Sequence, residues 1–145
     1  MHNVLVLYAP DTEGARRAVA RLTAAFDASL FTVTARPAGT SHIPNIAAAD
    51  IVLFATESGS SKGLHPDWDE LVRAFSGVNL AARMGAIISL GEGAGASGMR
   101  RALRDTEMTL LGEEPVLSKV SDADLRRWVG ELTARFKEFC DARGL

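Results

Sequence analysis

The sequence predicts an α/β fold, a doubly wound parallel sheet of five strands with helices on both faces. Two observations predict it. Short apolar runs recur along the chain, at residues 3–8, 30–35, 51–55, 85–90 and 116–120, and three of them are nearly unbroken. Unbroken apolar runs suit strands covered on both faces, as in a parallel sheet. Between the runs lie segments with apolar residues at helical spacing, and a β-α-β-α order implies right-handed crossovers.

Taken in order, the first run is Asn3 to Tyr8, around Val4-Leu5-Val6-Leu7. Ala15, Ala18, Val19, Leu22 and Phe26 then repeat at helical spacing, with Arg16, Arg17 and Arg21 between them. After the second strand, residues 30–35, there is room before Ile51 only for a loop and about one turn of helix at 46–49. Trp68, Leu71, Val72 and Phe75 outline the next helix, with Pro66 suited to its first turn. That spacing assigns Trp68 to the core. Met99, Ala102, Leu103 and Thr106 outline a further helix. Leu125, Trp128, Val129, Leu132, Phe136, Phe139 and Cys140 outline the last one, with Asp122 as its N-cap. The final strand is expected at Val116 to Val120.

The 145 residues suit one domain, residues 1–145, and 47% apolar content supplies one packed core. Charged residues make up 23% with a net charge of −2, which marks no nucleic-acid face. No apolar run is long enough to span a membrane. Met1-His2-Asn3 leads straight into the first apolar run without a basic leader, and the protein is expected to be cytoplasmic. Cys140 is the only cysteine, so an internal disulfide and a CxxC site are ruled out. His2, His42 and His65 have no metal-ligand spacing, and no serine lies in a nucleophile-elbow pattern. No catalytic residues are assigned.

In a doubly wound sheet, ligands bind beyond the carboxyl ends of the strands, where strand order switches. The loops at 9–14, 56–64 and 91–98 leave those ends. Their neighbourhoods carry a resemblance: a strand ending in Tyr8 before a Gly-containing turn, "IAAADIVLFATES", "GLHPDWDELVRAF", "NLAARMGAIISLGEG" and "GMRRALRDTEMTLLGEEPV". Together they resemble the short-chain flavodoxins over nearly the whole length. The resemblance implies strand order 2-1-3-4-5 and a flavin mononucleotide (FMN) site, the first loop wrapping the phosphate and the other two flanking the ring. It implies cofactor contacts from Asp11, Thr12, Glu13, Gly14, Ala15 and Arg16, from Thr56, Glu57, Ser58 and Gly59, and from Gly91, Glu92 and Gly93. A protein of this kind carries electrons to a redox partner protein, with no nucleic-acid or membrane partner.

Each loop departs from the family's pattern. The phosphate turn of the type S/T-x-T-G-x-T is here Ala9-Pro10-Asp11-Thr12-Glu13-Gly14-Ala15-Arg16, in which only Thr12 and Gly14 match, with one inserted residue. Pro10 removes a backbone donor. Asp11 and Glu13 repel a phosphate, whereas acids at a helix start complement its dipole, and Asp11 or Thr12 is the natural N-cap. Arg16 or Arg17 offers phosphate a counter-charge, although arginine on a polar helix face is commonly just solvated. The middle loop offers no aromatic, only His65 nearby. In the last loop Gly98 stands where an aromatic often precedes the family's methionine, here Met99. Arg100, Arg101 and Arg104 then follow on a helix face. Three functions remain open: a weak FMN-binding electron carrier, a flavodoxin-fold protein that has lost FMN and acts as a binding or regulatory module, and an FMN-dependent NAD(P)H reductase.

Overall fold

The computed structural model describes residues 1–57, 63–91, 95–112 and 114–144. Five strands form one all-parallel sheet in the order β2-β1-β3-β4-β5, where β1 is His2–Ala9, β2 Phe31–Pro37, β3 Ile51–Thr56, β4 Met84–Ser89 and β5 Thr109–Leu110. The helices are α1 Glu13–Ala24, α2 Ile43–Ala47, α3 Asp69–Ala74, α4 Gly95–Ala102 and α5 Asp122–Arg143. The predicted fold class and strand order therefore hold.

Side chains alternate along each strand, so every central strand feeds two cores. Val4, Val6, Tyr8, Ile51, Leu53, Ala55, Met84, Ala86 and Ile88 face α1 and α5, which contribute Val19, Leu22, Trp128 and Leu132 among others. Leu5, Leu7, Val52, Phe54 and Ile87 face the other way, onto Ile46, Trp68, Leu71, Met99 and Leu103. Trp68 is fully buried beside Phe54, as its spacing predicts. It lies on a single helical turn, Pro66–Trp68, that leads into α3.

Two assignments are corrected. The run at 116–120 is not a strand: β5 is Thr109–Leu110, paired with Met84 and Gly85, and Val116 makes only one bridge, to Ser89. Gly85 leaves room for the early pairing. A Cβ at that position would lie 2.4 Å from the Met108 sulfur and 3.1 Å from Leu110. Its absence lets residues 108–110 lie close against β4. The second correction is the cap of α5, which is Ser121 rather than Asp122, its hydroxyl accepting from the Asp124 N–H at 3.1 Å. Arg21 ties α1 to this region, donating to Asp122 at 2.9 Å and to the carbonyls of Leu117 and Val120 at 2.9 and 2.8 Å.

Candidate functional site

The parallel sheet brings the carboxyl ends of β1, β3 and β4 to one edge, so residues 9–14, the start of the loop after Thr56 and Gly91 are neighbours there. Ala9 and Thr56 are register partners, as are Thr56 and Ser89. The Glu57 N–H donates to the Ala9 carbonyl at 3.2 Å and the Leu90 N–H to the Thr56 carbonyl at 2.9 Å. Ser58, Gly59, Glu92 and Gly93 lie outside the described residues.

The side chains of the first loop bond to α1. Thr12 is the N-cap of α1, its hydroxyl accepting from the Ala15 N–H at 3.1 Å, and its carbonyl accepts from the Arg16 N–H at 2.9 Å. The Asp11 carboxylate holds the Arg16 guanidinium at 2.8 Å, and the Glu13 carboxylate holds Arg17 at 3.0 Å across one turn. Gly14 is exposed at the start of the helix, and Ala15 is buried beneath it. The bond from Ala9 to Pro10 is cis. Of the two candidate caps read from the sequence, Thr12 takes the role and Asp11 pairs instead.

Tyr8 belongs to this cluster although its strand position alone did not mark it. Burial, the Asp11 charge and hydrogen bonding to Asp11 push the Tyr8 phenol above its ordinary pKa, with Arg16 opposing them. The signal was present in the sequence as an inward strand residue three positions before an acid.

At the second loop, Thr56 is buried at the end of β3 and its hydroxyl has no hydrogen-bond partner among the described residues. The start of α4 covers it: a Cβ on Gly95 would sit 2.9 Å from the Thr56 hydroxyl and 3.3 Å from the Glu57 carbonyl. Thr56 thus packs under the start of α4, while Glu57 is exposed and Gly91 is half-buried. A Cβ on Gly98 would lie 3.2 Å from Leu64, so Leu64 fills the space that an aromatic at 98 needs. His65 is turned inward on its own chain, with Nδ1 accepting from the Asp67 N–H at 3.1 Å. Among the later arginines, Arg100 donates to Glu114 at 2.9 Å and to the Leu111 carbonyl at 3.3 Å, whereas Arg101 and Arg104 are exposed. Among the described residues, no group of three His, Cys, Asp or Glu side chains is placed to hold a metal ion. No helix among the described residues is long and apolar enough to cross a membrane.

Known structures share this architecture along nearly the whole chain. A flavodoxin from Streptococcus pneumoniae superposes with a TM-score of 0.78 over 92% of this chain and 99% of its own, at 16% identity. The fold is that of the flavodoxins. A short-chain flavodoxin associated with a bacterial microcompartment gives 0.79 over 94% of this chain and 99% of its own, at 13% identity. A Fusobacterium nucleatum flavodoxin bound to flavin mononucleotide gives 0.74 over 94% and 99%, at 12% identity. The sequence matches no family model and no curated protein.

Within this flavodoxin fold, the described part of the loop edge does not fit a phosphate in the first loop. A phosphate at a helix N-terminus is held by free N–H groups and hydroxyls. Here two carboxylates, those of Asp11 and Glu13, flank the turn, and Pro10 offers no N–H. A carboxylate next to a phosphate dianion is repulsive at short range.

Proposed function

We propose that this chain is a flavodoxin-fold binding protein, working through recognition of a ligand or partner rather than as an FMN electron carrier. The observation that supports this reading is the acidic first loop, in which the Asp11 and Glu13 carboxylates flank the turn and each pairs with an arginine of α1. Fold alone does not assign the chemistry, because one scaffold hosts many functions. The residues at the site therefore decide between the readings.

The test is a fluorescence titration of free FMN with purified protein. Flavin emission that stays unquenched at micromolar protein is the expected result, together with a colourless preparation straight from expression. Stoichiometric quenching, or a yellow protein with a flavin absorbance band, overturns the proposal. Those results favour the second reading, a weak FMN carrier serving a redox partner, which draws support from the full-length likeness to flavodoxins.

A further inference from the structure

An apolar depression runs between α1 and β2, with a volume of about 510 Å³. It exists because β2 is an edge strand, paired with β1 alone, so no further strand or helix closes its outer side. Tyr8 and Val19 form its buried floor, half-buried Val33 and exposed Ala35 its β2 wall, and exposed Ala20 its α1 wall. Arg16 stands at the end nearest the first loop and is the groove's one charged lining residue. A cavity of this size suits a small molecule with an apolar body and a single polar head.

The head-group chemistry is already on display. Arg16 holds a carboxylate, that of Asp11, at 2.8 Å. Both partners of the ion pair are about half exposed, at 56% and 42%. Such pairs contribute little to stability, so another carboxylate displaces Asp11 at small cost.

We propose that this groove binds an amphipathic carboxylate, the Arg16 guanidinium taking the head group in place of Asp11 and the apolar floor taking the hydrocarbon body. Asp11 is then an internal competitor that keeps the guanidinium occupied when the groove is empty. This inference names a ligand class for the binding protein proposed above, and rests on that reading only in needing Arg16 free of phosphate.

Octanoate is the probe and octanol its neutral counterpart, titrated calorimetrically and followed by the methyl resonances of Val19 and Val33. Octanoate is expected to bind at a single saturable site and to shift both methyls, with octanol about threefold weaker, the difference expected for an exposed ion pair. Arg16→Gln should bring octanoate down to the octanol level, and Asp11→Asn should tighten it severalfold. Ala20→Trp, on an exposed helix position, should fill the groove and abolish binding with the circular dichroism unchanged. Octanoate binding no tighter than octanol, or unaffected by Arg16→Gln or Ala20→Trp, overturns the proposal. Dimerisation that Ala20→Trp abolishes while octanoate has no effect also overturns it, and makes a second copy of the chain the occupant. FMN quenching in the separate titration defeats the proposed function without bearing on the methyl shifts.

Discussion

The N-termini of α1 and α5 are built alike, although only α1 starts at the turn where a flavodoxin-like sequence is expected to hold phosphate. Thr12 and Ser121 each cap with a hydroxyl 3.1 Å from the N–H three residues on. Acids occupy both first turns, Glu13 in one and Asp122 and Asp124 in the other. Arginines answer them in both places: Arg16 and Arg17 at α1, Arg21 and Arg127 at α5. Negative side chains at a helix start complement its dipole and cap its free donors. The turn before α1 thus shares its capping chemistry with α5, a helix with no ligand assigned to it.

If the two helices play the same structural part, matched substitutions should have matched effects. Leu22 on α1 and Leu132 on α5 are both wholly buried in the same core. Leu22→Ala and Leu132→Ala should each cost about 2–5 kcal/mol in urea unfolding, the usual loss for a buried leucine and its cavity. A loss at Leu22 far below that at Leu132 would mean that α1 is loosely docked, as suits a helix that adjusts to a ligand. The caps give a smaller and sharper comparison. Thr12→Ala and Ser121→Ala should each cost about 1 kcal/mol. Thr12→Ala that leaves stability unchanged while altering FMN or anion binding would separate the two termini and break the likeness.

Much of this was legible in the sequence, for reasons that differ by region. The unbroken runs at Val4–Leu7 and 51–55 lie in central strands buried on both faces, so their composition alone carries the signal. The capping role of residues 11–13 was legible too, because capping is local chemistry over a few residues. The last strand was misread because Val116 to Val120 has a strand-like composition, whereas the pairing uses the room left by the missing Cβ of Gly85, a contact between residues far apart in sequence. Tertiary placement also hides the cover of Gly95 over Thr56 and of Leu64 at Gly98. The groove beside β2 was out of reach for the same reason. Its existence follows from β2 being at the sheet edge, which the resemblance implied, and from the small residues of α1 that face it, which no motif marks.

The finest distinction between the two termini is electrostatic, and Tyr8 reports it, being the only tyrosine in the chain. Burial raises its pKa, the Asp11 charge and hydrogen bonding add to the rise, and Arg16 opposes it. Absorbance at 295 nm should therefore show the phenol ionising above its ordinary range, and Asp11→Asn should bring the midpoint down while the burial contribution remains. The sign for stability follows from linkage: a group whose folded pKa is raised contributes fully below its unfolded pKa, and that contribution is lost as pH rises through the folded pKa. The alkaline fall in stability should accordingly be shallower in Asp11→Asn than in the parent chain, while Asp122→Asn, at the matching terminus without a tyrosine beside it, leaves the Tyr8 midpoint where it was. An unchanged midpoint in Asp11→Asn would mean that Asp11 does not stand against Tyr8 in solution, which would remove the carboxylate from the head of the groove and with it the reason that Arg16 is held there.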